Sequence, residues 1–427
     1  MEGHHHSGHN HETSIPKKIN QNERMKHRIV QNTTSNGNHA SLTNGKRPAD
    51  VEHERENIAE DPEAFRGFRK RIRNWLLPQV KQGIHRIVDI QSTRNPTKTS
   101  IFEFVSNSGT ANFQIAFFPY FWFGLGDAFV GRQLLFIISL GIYSGNWLKD
   151  FFCLPRPSQP ALRLSYYGSK EFGFPSTHAI SAMNLAAALL VLLAGPFTTA
   201  FWIGLPFAIT YVCLVCYSRV YLGMHCLTDI LGGLAVSSTI IAIWYGLGVY
   251  LIIDDYVLTS STTIVVSIIF GILILYFHPE PVVYCPCFED TTCSVGAAIG
   301  IACSACLTGD FIEWKHNDQY IMIFRYIFGV ALLILTRFIA KPIMYKIIPW
   351  FYENFDFQGR RFLPHLSSRT PVQLKMKVVP SLNNLHDKEN KKPPHDVDIP
   401  SKYIVYMLMT ASVAVSCLIM QRIPYIN

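Results

Sequence analysis

The chain has 427 residues, of which 49% are hydrophobic, and a formal net charge of +8. Its mean hydropathy is positive although long polar segments flank the apolar ones, which excludes an ordinary soluble protein and points to a polytopic membrane protein. The charge excess lies largely in Arg66 to Arg73 and Arg360 to Lys392, whose single phenylalanines, Phe68 and Phe362, do not interleave as the aromatics of a nucleic-acid platform would, so a membrane surface and not nucleic acid is the expected partner.

In chain order, residues 1–65 are rich in His, Asn, Lys and Glu and hold too few large apolar side chains to offset ordering entropy, so a disordered tail is expected. Its His4-His5-His6 run with His9 and His11 reads as low complexity rather than a metal site. No hydrophobic h-region lies near Met1, leaving the first membrane helix as the insertion signal. A basic juxtamembrane segment follows at 66–112. Apolar runs near spanning length occur at 113–130, 133–148, 178–194, 199–217, 229–250, 262–277, 293–308, 320–339 and 403–420; the first, sixth and seventh are the weakest. This divides the chain into a transmembrane domain at 113–340 with its core at 133–250, a basic proline-containing linker at 341–402 and a last helix at 403–420.

Ten cysteines give no disulfide framework, because most lie within apolar runs. Cys213 with Cys216 and Cys303 with Cys306 read as buried thiols. Cys285, Cys287 and Cys293 fall in or near a loop, where a disulfide is open if that side is lumenal; a zinc site would need a fourth ligand, for which His278 is the nearest candidate.

Three stretches at apolar boundaries carry chemistry. Lys149 and Arg156-Pro157 lie where a helix gives way to a proline-flanked loop, offering a point charge and a forked guanidinium to phosphate oxygens, or else anchoring the helix end at the interface. Pro175-Ser176-Thr177-His178 opens the next apolar run, gathering hydroxyls and free amides at a helix N-terminus suited to an anion; Ser176 or Thr177 also suits an ordinary cap. Ser218-Arg219 precede His225 and Asp229, whose spacing of four predicts one helical face, with the carboxylate fixing the imidazole tautomer as a histidine nucleophile needs. A satisfied His–Asp pair at a helix start is the competing reading. Together the stretches hold what is needed to grip a phosphate, attack it and protonate what leaves.

These residues resemble the type 2 phosphatidic acid phosphatase (PAP2) superfamily, whose signature is Lys, six residues, Arg-Pro, then Pro-Ser-Gly-His, then Ser-Arg, five residues, His, three residues, Asp. Thr177 stands where most of that superfamily has glycine, and Phe174 to Ala179 with Tyr217 to His225 look like the sphingosine-1-phosphate phosphatase branch, as does Gly296 to Cys303. The resemblance implies an all-α, polytopic transmembrane bundle with a core of about six helices, eight or nine spans in total, in the endoplasmic reticulum membrane with a lumenal site.

It also implies roles. His225 is the nucleophile, Asp229 orients it, and His178 is the general acid and base; Lys149, Arg156, Ser176, Thr177, Ser218 and Arg219 bind phosphate. No metal or other cofactor is expected, since the cations supply that charge and no carboxylate cluster is in sight. The implied substrate is a phosphorylated sphingoid base, whose ammonium needs an acidic or aromatic partner; Glu171, Phe172, Tyr166 and Tyr167 are available, unless they only line a loop. Phosphatidic acid, a polyprenyl diphosphate or a sugar phosphate are rival substrates, and a transporter or channel is the rival class. One conflict stands: two spans before Lys149 put the basic Arg66 to Arg73 on the site's side, whereas the positive-inside rule wants them in the cytosol. Either 113–130 does not fully span, or a segment such as Trp75 to Ile90 dips into the membrane.

Overall fold

The computed structural model describes residues 65–110, 113–114, 117–165, 171–279, 281–282, 285–309, 318–354 and 395–422. The expected tail therefore lies outside the described residues except for Phe65, and so do Tyr166, Tyr167 and Arg360 to Lys392. Every regular element among the described residues is helical: α1 Gly67–Gln91, α2 Pro96–Ser108, α3 Ala128–Phe152, α4 Thr177–Leu189, α5 Thr199–Tyr221, α6 Leu227–Ile241, α7 Val249–Thr259, α8 Thr263–Tyr276, α9 Cys287–Thr308, α10 Gln319–Asn354 and α11 His395–Gln421. Seven described helical segments are long and apolar enough to cross a membrane, and the shorter α8 is apolar as well.

Helix starts follow local chemistry. Asp127, Ser176 and Thr198 cap α3, α4 and α5 by accepting from backbone amides three residues on, and Asn95 followed by Pro96 opens α2. The ends differ from expectation in places. Residues 113–130 do not form one helix: a short turn at Phe117–Pro119 runs into a π-helical turn at Tyr120–Gly124, and α3 begins afresh at Ala128. The run expected at 229–250 is also divided, because Gly248 takes a left-handed conformation between a π-helical turn and α7. Residues 341–354 complete α10 and residues 395–402 open α11, so the expected linker shrinks from both sides. Pro342, Pro349 and Pro400 lie inside these helices and not in the proline-containing linker expected at 341–402.

The most deeply buried spans are α3 and α9; α5 leaves Trp202, Ile203, Phe207, Ile209 and Leu214 exposed, as a lipid-facing helix does. Small residues let backbones approach. Gly141 and Gly145 of α3 face Asn184 and Thr177 of α4, and a Cβ at Gly145 would stand 2.8 Å from the Thr177 methyl. In the same way Gly296 and Gly300 of α9 lie against the backbone of α11 at Tyr403 and Met407, which gives the glycine-rich stretch a packing role. Polar pairs bind helices inside the bundle: Ser237 donates to Asn184, and Asn184 to the Ile137 carbonyl. Near the start of α3, Arg132 meets Asp254 of α7 through two 2.8 Å bonds, a buried pair whose breaking costs about 3–5 kcal/mol.

Chain direction gathers the three motifs. Lys149 lies at the end of α3, His178 at the start of α4, Arg219 at the end of α5 and His225 just before α6. Four antiparallel spans thus bring these ends to one face. On that face lies α1, whose Arg69 donates to the Asp150 carbonyl and Arg73 to those of Phe152 and Cys153, covering the C-terminal end of α3.

Candidate active site

Each motif is held by backbone chemistry. The helix α3 ends at Cys153, which adopts a left-handed conformation and sends the chain through Pro155 to Arg156. Ser176 caps α4 by accepting from the Ala179 amide at 3.4 Å, deciding between the two candidate caps. Its own amide donates to the Asp229 carbonyl at 3.0 Å, tying the second motif to the third. A Cβ at Gly233 would stand 2.6 Å from the Ser176 carbonyl oxygen, so this close approach requires glycine.

The turn from α5 to α6 rests on Gly223, whose φ of +67° and close approach to the Leu162 carbonyl both demand glycine. Gln91 of α1 clamps it, donating to the Leu162 and Tyr221 carbonyls and accepting from the Leu162 amide. His225 and Asp229 do not share a helical face: α6 begins only at Leu227, and His225 precedes the Cys226 cap. Asp229 sits in the first turn, where its Oδ2 accepts from the Cys226 amide at 2.9 Å. The imidazole reaches it nonetheless, with Nδ1 3.5 Å from Oδ2.

These ends form one buried cluster. Lys149 Nζ donates to Thr177 Oγ1 at 3.1 Å and to Glu171 Oε2 at 2.5 Å. Arg156 donates through Nη1 to the Met224 carbonyl at 2.9 Å and contacts His225 Nε2 at 3.1 Å. Arg219 Nη1 donates to Ser106 of α2 at 2.7 Å, while its Nε and Nη2 are buried without hydrogen-bond partners. His178 Nε2 is likewise buried and unpartnered. Ser218 departs from its expected role, since its hydroxyl donates back to the Val215 carbonyl within α5 at 2.6 Å.

The electrostatics fix the state of His225. A guanidinium can only donate, so Nε2 accepts from Arg156 and the ring proton sits on Nδ1, facing Asp229. Burial, and then the cations Arg156, Arg219 and Lys149, hold the imidazole well below its ordinary pKa and keep it neutral. Glu171 is the reverse: burial pushes its carboxyl up, but Lys149 and Arg156 outweigh that and leave it lowered and ionised. The cluster therefore presents three cations and an imidazole lone pair, fit to hold an anion and attack it in line.

Sequence reasoning missed the supports from α1 and α2, namely Gln91, Ser106 and Gly109, whose Cβ would meet His178. Their segments lack the apolar runs that announced the other helices. Cys285 and Cys287 pair as a disulfide where the loop meets α9, whereas Cys293 is free and lies within α9 itself. Both paired sulfurs lie within 4.8 Å of the Asp150 carboxylate, on the same face as Lys149, and His278 Nδ1 is 3.7 Å from that carboxylate.

Comparison with known proteins places this geometry. Residues 131–252, which contain all three motifs, match the PAP2 superfamily. The chain is 30% identical over 302 residues to a dihydrosphingosine 1-phosphate phosphatase of Saccharomyces cerevisiae, covering 64% of this chain and 73% of that one. Its likeness to a second dihydrosphingosine 1-phosphate phosphatase, from Schizosaccharomyces pombe, is 27% identity over 67% and 73% of the two chains. Sphingosine-1-phosphate phosphatase 2 of Mus musculus is 29% identical, over 59% of this chain and 75% of that one.

Proposed function

The chain belongs to the PAP2 superfamily, and on that footing we propose that it is a metal-independent lipid phosphatase that hydrolyses sphingosine 1-phosphate and related sphingoid base phosphates. The observation that carries the reading is the convergence of Lys149, Arg156 and Arg219 around a neutral His225 whose Nε2 bears a lone pair. The three cations and the amides at the start of α4 spread the charge of the transferring phosphoryl group. Once Arg156 has turned from Nε2 to the phosphoryl oxygens and freed the lone pair, His225 attacks phosphorus, breaking the bond to the lipid oxygen and forming a phosphohistidine. Asp229 stabilises the positive charge that develops on the ring. His178 protonates the departing alkoxide, then takes a proton from the water that cleaves the phosphoryl–imidazole bond. Clustering of the motif charges, Lys149, Arg156, Arg219 and Asp229, at one face argues against a transporter.

The reading extends to location: a multi-pass protein of the endoplasmic reticulum membrane with a lumenal site. One observation supports that side: Arg69 and Arg73 are engaged with the end of α3, so they do not act as free cytosolic anchors. The test of function is phosphate release by the purified protein in mixed micelles with EDTA added at the start of the assay. Turnover of sphingosine 1-phosphate well above that of phosphatidic acid supports the proposal; activity restored only by magnesium, or confined to phosphatidic acid, defeats it.

A further inference from the structure

Glu171 occupies a position that the phosphate chemistry alone does not explain. Its Oε2 lies 2.5 Å from Lys149 Nζ and 3.4 Å from Arg156 Nη2, and its carbonyl accepts from Arg156 Nε at 3.0 Å. The two cationic side chains are 0% and 2% exposed, whereas that of Glu171 is 18% exposed. The carboxylate is thus more exposed than either cation it pairs with. The segment carrying it is fixed, because the Gly173 amide donates to the Leu154 carbonyl at 2.8 Å and a Cβ at Gly173 would stand 2.9 Å from the Pro155 carbonyl oxygen.

A phosphate monoester entering between Lys149, Arg156 and Arg219 competes for the donors that Glu171 now holds. Once they turn to phosphate, an ionised carboxylate is left beside a dianion, which is costly in a buried site unless a cation comes with the substrate. A sphingoid base phosphate brings that cation, since its primary ammonium sits on the carbon next to the one bearing the phosphate ester. Phosphatidic acid has an uncharged ester there, and an N-acylated sphingoid phosphate an uncharged amide.

We propose that Glu171 is an ammonium subsite: Lys149 and Arg156 pass from its carboxylate to the incoming phosphate, and the carboxylate takes the primary ammonium of the substrate. This rests on the phosphatase function proposed above and makes Glu171 select for amine-bearing substrates both by pairing with the ammonium and by leaving the repulsion between carboxylate and phosphate uncompensated in substrates that lack it.

The test compares sphingosine 1-phosphate with octadecyl phosphate, a single-chain phosphate without the amine, using the purified full chain in mixed micelles. For the wild type, kcat/KM should favour the amine substrate at least tenfold, and Glu171→Gln should reduce that ratio by about tenfold or more, as loss of one partner of a buried charge pair does. A residue that merely positions Lys149 and Arg156 would lower both substrates together, and an unchanged ratio overturns the proposal. A second measurement needs no variant: a long-chain phosphonate with a 2-amino group should inhibit the wild type at least tenfold more tightly than its deaminated counterpart, and equal inhibition overturns the proposal. Equal wild-type turnover of both phosphates sinks the subsite but spares the phosphatase; turnover of neither sinks the function beneath it.

Discussion

At the residue scale the site works by assigning each polar atom a fixed state. Arg156 makes Nε2 of His225 an acceptor, the proton falls to Nδ1, and Asp229 stands 3.5 Å away, placed to stabilise the charge that the proposed attack would create. Arg219 is anchored at Nη1 by Ser106 while Nε and Nη2 stay unpartnered and buried, an arrangement suited to a forked grip on two phosphoryl oxygens. Replacing it by lysine keeps the charge and removes the fork. Arg219→Lys is therefore expected to lower kcat by about 10- to 100-fold, the worth of one or two charge-assisted hydrogen bonds, and to weaken inhibition by vanadate. Steady-state kinetics read this directly. Unchanged turnover and vanadate inhibition would make Arg219 a structural anchor and leave the phosphate to Lys149 and Arg156.

At the element scale the site depends on where helices stop. The α5–α6 turn is short and bends at Gly223, where Ala would combine an unfavourable positive φ with a collision against the Leu162 carbonyl. Gly223→Ala should destabilise the detergent-solubilised protein by about 1–3 kcal/mol and reduce activity at least tenfold by displacing His225. A melting curve and a rate together check this, and a variant with wild-type values in both would show that the turn does not set the nucleophile. The motifs themselves were legible, because cations, histidines and prolines interrupt apolar runs that would otherwise have no reason to break. The His225–Asp229 relation was legible in its partners but not in its geometry, since a capping carboxylate and a helical neighbour share the same spacing. Helices α1 and α2 were not legible as parts of the site: Gln91 and Ser106 look like ordinary surface polar residues until the fold lays them against Tyr221 and Arg219.

At the scale of the whole molecule, Gly109 and Trp122 lie toward opposite ends of the bundle. Gly109 is against His178 at the site's face, whereas Trp122 packs against Gly131 near the start of α3. One of the three weakest expected spans, 113–130, is thus interrupted between Gly124 and Ala128 before α3 begins, and α1 remains on the site's side. That arrangement keeps the charge conflict in view, and the engagement of Arg69 and Arg73 is the proposed answer to it. An Asn-x-Ser acceptor engineered into the 157–165 loop should accordingly be glycosylated in cells; modification of an acceptor placed on the opposite face instead would reverse the assignment. The account stands or falls, however, on the covalent step that all three motifs are arranged to support. The most direct measurement is a rapid alkaline quench of the protein turning over sphingosine 1-phosphate labelled with ³²P. The account predicts a label that survives alkali, is lost in acid, maps to the peptide containing His225 and disappears in His225→Ala. A label on any other residue, or a correctly inserted His225→Ala protein retaining more than about a hundredth of wild-type turnover, would contradict it.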